Sequence, residues 1–410
     1  MKLKKNSIFF IYIFFFFYAS LVIGFLFNED SAGGAIKDYL FHLVVRDFFL
    51  NDTLFALKNY LAVEAIHSPV FIIFLKYILL FNETTGRFFF LNICILIPLI
   101  FFISMKKKEK KNFYLIFYLS CFFFISPYFR STAIWPGDEN LALLFFVSSI
   151  YFYITFLNSK NENNKIKYML FNIVLLAAAA YFRPNYSFFS IFFFYEFIFK
   201  NFKINYFVIY LLTSFFLAFP AFYYVFILEV NFFYASMENF NLINSLALTY
   251  SILLFFLIPF ILSNKKNFYN FKFNYINLFF TIIFSIIVFI FFNYQAPTGG
   301  GILFMLQNLF FKGNLVFTFI FAISFYVVNE ILEINKIKNL IILLILLFLE
   351  LDSNIYMETL DPLFLICVFL LFDVKIINNF FNNEGFKKIN LLFIYLFLFY
   401  LAKVSSLYVL

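Results

Sequence analysis

Asp38, His42 and Arg46 recur at i, i+4 and i+8, so on a helix a carboxylate, an imidazole and a guanidinium project from one slowly drifting row. Such a row can take a proton from a hydroxyl and hold an anion; a ladder of ion pairs on a solvated face gives the same spacing. Glu29-Asp30 lies just before it. Further on, His67-Ser68-Pro69 reads as a helix start, with Ser68 as cap and Pro69 in the first turn. His67 is then either incidental to that start or set at the positive end of a helix, where anions bind. The stretch from Ser126 to Asn140 holds the only tryptophan, Trp135, with Tyr128, Arg130 and the adjacent carboxylates Asp138 and Glu139. Trp135 and the tyrosines also suit a membrane interface. In Tyr181-Phe182-Arg183-Pro184 an arginine sits at a proline break, where freed backbone groups need a polar cavity and an ionisable group is a functional candidate. Glu358 and Asp361 read as helix caps, and Gln295 to Gly301 as a simple loop. No nucleophile elbow, metalloprotease motif or dinucleotide fingerprint is present. Cys94, Cys121 and Cys367 lie in apolar stretches and offer neither a disulfide framework nor a metal site. No cofactor is required; the carboxylates admit a divalent cation, but no ligand spacing demands one.

The elements that must position these groups follow from composition. Of 410 residues, 64% are hydrophobic, 13% are charged and 78 are Phe. A soluble domain carries about 25% charged residues and a disordered chain few aromatics, so both are excluded. The fold expected is all-α and polytopic. Lysine clusters at 2–5, 106–111, 160–167, 200–203, 265–272, 336–338 and 375–388 mark the cytoplasmic side, and the first span, Ser7 to Phe27, starts there. Residues 28–87 then form one external segment. Within it Pro69 to Phe81 is too short to cross about 30 Å of hydrocarbon and dips into the outer leaflet. From Ala35 to about Leu50 a helix presents Ile36, Tyr39, Leu40, Leu43 and Val44 to the membrane interface. The count is 13 spans, or 11 if two neighbouring short ones are re-entrant. All four arginines, Arg46, Arg87, Arg130 and Arg183, fall on the external side or at its boundary, where a planar fork suits carboxylate or phosphate. The chain divides at about residue 230 into a first module and a set of C-terminal membrane helices, 231–410, with no soluble domain. A bacterial inner membrane and a cytoplasmic N-terminus are expected.

The order of these motifs resembles the GT-C superfamily of integral-membrane glycosyltransferases, which includes polyprenyl-phosphate-sugar-dependent mannosyl and aminoarabinose transferases. Glu29-Asp30 and Asp38 stand where that family has acidic residues after the first span. His67-Ser68-Pro69-Val70 is similar to its His-Pro-Pro-Leu-type motif, with Ser68 in place of the first proline. Ser126 to Arg130 and Arg183-Pro184 are similar to later landmarks. The resemblance covers roughly the first half of the chain. It implies an enzyme that moves a sugar from a polyprenyl-phosphate donor to a glycan, lipid or protein acceptor on the external face, with inversion. Asp38 or Asp30, beside Glu29, would be the general base. Arg46, Arg130, Arg183, His42 and His67 would bind the donor phosphate, and Asp138, Glu139 and Tyr128 would line the acceptor side. Membrane lipids are implied partners, and nucleic acid is not. A polymerase or ligase of lipid-linked glycans uses similar groups, and a transporter or flippase of phosphate-bearing lipids is the reading from another class. A transporter should show related halves with ionisable groups at mid-membrane, and no such repeat is evident.

Overall fold

Apolar runs become helices throughout, and no strand occurs among the described residues. The computed structural model describes residues 2–409 except 64–66, 81, 110–111, 231–239, 264–273, 296–298, 312, 350–354, 379 and 382–384, with side chains from residue 11 to residue 405. Glu64, the cluster Lys265, Lys266 and Lys272, and residues 296–298 of the glycine loop lie outside them. Seven described helices are long and apolar enough to cross a membrane, or eight if a bent pair counts as one span, as a multi-pass membrane protein requires. The expected 11 to 13 spans are not reached by length, because several apolar runs fold into helices of only 10–17 residues. Two compact units emerge, residues 1–234 with 393–410, and residues 235–392. The sequence division at 230 instead leaves 393–410 with the C-terminal helices.

In the first unit, α1 (Lys2–Leu26) ends at Asn28, whose φ of 51° is a left-handed closure that asparagine tolerates. The chain then turns into α2 (Ala35–Asn51). The short α3 (Pro69–Ile78) would extend about 15 Å and cannot span alone. It packs on α2. Its Lys76 is explained by that packing: Nζ donates to the Phe49 carbonyl at 2.8 Å and to Thr53 Oγ1 at 3.0 Å, satisfying the end of α2. Next come α4 (Glu83–Lys108) and a broken pair, Phe113–Ile125 followed by α5 (Pro127–Ile134), bent by 66°. Ser126 and Pro127 make that break by starting a new helix, the Ser126 hydroxyl accepting from the Phe129 N–H at 3.1 Å.

The frame of the unit is an antiparallel pair, α6 (Asp138–Asn158) and α7 (Glu162–Phe182), each 21 residues long. Because the lengths match, the start of α6 lies level with the end of α7, roughly 30 Å from the connecting turn. The lysines gather at that turn: Lys107 donates to Thr155 Oγ1 at 2.7 Å, while Lys203 pairs with Glu162 at 2.7 Å. The far end of the pair carries Asp138, Glu139 and Arg183. Beyond it, α8 (Ile204–Phe222) completes the first run of helices.

Gly24 marks a close approach near the end of α1. A Cβ there would run into Glu29 Oε2, Arg130 Nη2 at 2.8 Å and Ile134 Cδ1 at 3.1 Å. Gly24→Ala should therefore destabilise by about 1–3 kcal/mol, read as a lower unfolding temperature in detergent. An unchanged transition would show that α1 and α5 have room to separate.

The second unit is built on α9 (Leu242–Ser263), α10 (Tyr275–Phe291), α11 (Gly301–Phe310), α12 (Asn314–Ile331), α13 (Ile337–Leu347) and α14 (Leu363–Leu370). Polar side chains tie three of them together: Tyr250 OH donates to Asn329 Oδ1 at 2.9 Å, Asn329 to Asn277 Oδ1 at 3.3 Å, and Asn277 to Glu330 Oε1 at 2.8 Å. Interhelical bonds of this kind hold helices where lipid supplies no hydrophobic drive. Gly299, Gly300 and Gly301 have φ of 90°, 77° and 78°, which accounts for three glycines in the turn into α11. Helix α14 begins after Pro362, which offers no side-chain cap of its own. The last helix, α15 (Gly385–Val409), starts in the second unit, and its remainder belongs to the first.

Candidate functional site

The turn after α1 separates its two carboxylates. Asp30 accepts from the backbone N–H groups of Gly33 at 3.1 Å, Gly34 at 3.4 Å, and Ala35 and Ile36 at 3.3 Å, so it closes the start of α2. Glu29 turns toward α5 and takes a bidentate pair from Arg130, with Nε at 2.7 Å and Nη2 closer still. Arg130 spends its other donors on Ser20 and the Phe124 carbonyl, and its guanidinium lies 5.2 Å from the Tyr400 ring. It is a clamp between helices. Arg87 is another: it stacks 3.5 Å from the Trp135 ring and donates to Asn28 and the Ile134 carbonyl. Tyr128, on α5, meets Lys403 at 5.2 Å and Phe399 at 6.4 Å.

Along α2 the expected common row divides. The buried stripe is Ala35, Tyr39, His42, Val45 and Phe49, with Asp38 exposed one turn before His42. Arg46 points sideways and pairs with the adjacent Asp47 at 2.6 Å. Of the residues expected to face the interface, Leu40 and Val44 are 53% and 67% exposed, Ile36 and Leu43 are half-buried, and Tyr39 is buried instead in the stripe with His42.

Six side chains then come together at the level end of α6 and α7. Asp138 opens α6 after Gly137 and is 2% exposed. Carboxylates favour a helix start, which is why two of them begin α6. Pro184 drives Arg183 into extended backbone, φ −131° and ψ 106°, so α7 stops there. Arg183 Nη2 pairs with Glu139 at 2.9 Å, and its Nε lies 3.7 Å from Asp138 Oδ1, an oxygen without a hydrogen bond. The other oxygen, Oδ2, is 3.4 Å from His67 Nδ1. The backbone around His67 is pinned twice. Tyr60 OH donates to its carbonyl at 2.7 Å, and Ser68, the cap of α3, donates in turn to the Tyr181 carbonyl at the end of α7. His42 stands edge-on to His67 with ring centroids 4.6 Å apart and packs on Phe71 at 5.0 Å. Neither His42 nitrogen makes a hydrogen bond.

The electrostatics sort these groups. Burial, then His67, push the His42 imidazole down to about 3, against the pull of Asp138. Two charged rings at this separation would repel by about 4 kcal/mol at an effective dielectric of about 20, so only one can carry a proton comfortably. His67 is that one. Burial works against its charge, but Asp138 and Glu139 outweigh burial and hold it above its ordinary value of 6.5. Partial burial, helped by Asp138 and Asp30, raises Asp38 above the usual carboxylate range despite His67 and Arg183. The Asp38 carboxylate makes no hydrogen bond or ion pair among the described residues; only its backbone N–H donates, to the Gly34 carbonyl at 3.1 Å.

The structure thus joins Asp38, His42, His67, Asp138, Glu139 and Arg183, and commits Glu29, Asp30, Arg46 and Arg130 to other partners. Sequence reading gave no hint of Tyr60, which carries no local signal, or of Ser68 reaching α7. It could have read Asp30 from Asp-Ser-Ala-Gly, a turn in which Asp bonds the backbone just ahead. No group of three or more His, Cys, Asp or Glu able to hold a metal ion occurs among the described residues. The chain matches no protein-family model, no curated protein and no solved structure.

Proposed function

We propose that this chain is a GT-C-like glycosyltransferase that moves a sugar from a polyprenyl-phosphate donor to a glycan, lipid or protein acceptor on the external face of a bacterial inner membrane. The observation that supports this most is a single polar cluster, with an unpaired carboxylate on its rim and a guanidinium within it, at the end of apolar helices opposite their lysines. A site bounded by lipid and remote from the cytoplasmic side needs a donor delivered through the membrane. In this reading the N-terminus is cytoplasmic, the shorter apolar helices bring the spans to between 11 and 13, and α2 rests its exposed Leu40 and Val44 in the interface.

Asp38 is the general base. Of the three carboxylates expected to supply the base, Asp30 caps a helix and Glu29 answers Arg130, whereas Asp38 is left to accept a proton from the attacking hydroxyl. A raised carboxyl is the stronger base. Arg183, 20% exposed, draws in the phosphate, which already leaves well and needs charge stabilisation more than a strong acid. Asp38→Asn should lower transfer from a lipid-phosphate sugar in proteoliposomes by about 10²- to 10⁴-fold. In the wild type the rate should fall as pH drops through a value above the ordinary 3.8 of aspartate, because protonation removes the base. Full activity in Asp38→Asn would sink the assignment. Cells lacking the gene should accumulate a monosaccharide-phosphate lipid; an accumulating diphosphate-linked oligosaccharide would point instead to a polymerase or ligase.

A further inference from the structure

The chain has only two histidines, and both stand in this one cluster with their rings 4.6 Å apart. Their surroundings are unlike. His42 is 1% exposed and packs on Phe71, with neither nitrogen bonded. His67 turns Nδ1 to Asp138 at 3.4 Å and is 19% exposed along its side chain, so Nε2 is the nitrogen left to meet a ligand. Two bonds pin the backbone beside that ring: Tyr60 holds the His67 carbonyl, and Ser68 is tied to Tyr181 beside Arg183.

We propose that His67 is held as an imidazolium whose Nε2–H donates to a phosphoryl oxygen beside Arg183, that Asp138 is the positioning residue that fixes and charges it, and that His42 stays neutral. The inference rests on the proposed function only for the source of the phosphate. Among the described residues, charged and titratable groups reach His67 from several elements. Asp138 and Glu139 come from α6, Arg183 from the end of α7, Asp38 and His42 from α2, and Tyr60 from the turn before α3. Among these, Asp138 alone meets the ring within hydrogen-bonding reach. A buried carboxylate bonded to one imidazole nitrogen fixes which nitrogen faces outward and favours the charged ring. Arg183 then supplies the second cation for an anion that neither group could hold alone in competition with Glu139. A purely structural link between α3 and α6 would hold equally well with a neutral ring, and that difference can be measured.

The test is carbon-13 NMR of the full chain in lipid nanodiscs, labelled only at histidine Cε1, which gives two resonances. Titrated from about pH 4 to pH 9, one should shift with a midpoint above 6.5 and the other should stay neutral across the range. His42→Phe assigns them. Asp138→Asn should lower the His67 midpoint by at least about one unit, a tenfold loss of proton affinity, while Asp138→Glu keeps it high. An unmoved His42 resonance reports that each variant has folded. Farnesyl phosphate should raise the midpoint further in wild type and not in Arg183→Ala. Two histidines titrating together near 6.5, or a midpoint indifferent to Asp138→Asn, would overturn the charged pair. A midpoint indifferent to farnesyl phosphate would overturn the phosphate contact. None of these readouts needs sugar transfer: an inactive chain with a split histidine pair would remove the glycosyltransferase and leave the dyad standing.

Discussion

Arg130→Ala is expected to destabilise the first unit by about 3–5 kcal/mol, among the largest effects a single substitution in this chain could have. The reason is what it leaves behind. Glu29 is 14% exposed on its side chain, and Arg130 is its ion partner. Removing the guanidinium strands that carboxylate and also frees Ser20 and the Phe124 carbonyl from their donor. The measurement is thermal unfolding in detergent, where a fall of roughly 6–15 °C is expected. Glu29→Gln in the same background should recover part of the loss, because no buried charge is then left unpaired. Additive losses in the double variant would show that the two residues act independently, and the clamp would fail as an explanation.

Arg183→Ala should act on turnover. Its guanidinium is the cation shared by Glu139 at 2.9 Å and Asp138 at 3.7 Å, and removing it leaves two adjacent carboxylates facing any incoming phosphate. Loss of one preorganised donor from a charge-stabilising site costs about 10²- to 10³-fold in rate, and repulsion by Asp138 and Glu139, which lose this cation, adds to that. Arg183→Lys should restore only part, since an ammonium cannot reach both acids through a fixed fork. Arg46→Ala is the contrast: its partner Asp47 is adjacent and 58% exposed, a pair worth at most about 1 kcal/mol, so transfer should stay within a few-fold of wild type. Equal losses in Arg46→Ala and Arg183→Ala would refute the division of the arginines.

That division is also where the sequence stopped being legible. In the sequence the four arginines look alike, all expected at or near one side of the membrane, because type and expected sidedness are one-dimensional properties. Their roles depend on partners far along the chain: Arg130 meets Glu29 across 101 positions, and Arg87 meets the Ile134 carbonyl across 47. The local signals were readable. Ser68 caps α3 and Pro69 follows it, as the dipeptide foretells. Pro184 ends α7 at Arg183. The row Asp38, His42, Arg46 had the right period but no means of telling which edge of the helix would be covered, and packing against α3 took His42 inside. Span counting meets the same limit: an apolar run states that a segment avoids water, while its helical length depends on where caps and breaks such as Ser126-Pro127 fall.

The first unit is completed by residues 393–410, with Phe393 stacked on Tyr118 at 4.6 Å and Tyr400 beside Arg130. Those residues leave the ribosome only after the whole of the second unit has been made. During synthesis, α1 and α5 must therefore wait with one flank uncovered. A chain stalled before residue 393 would present that flank to lipid or to the membrane's quality-control proteases.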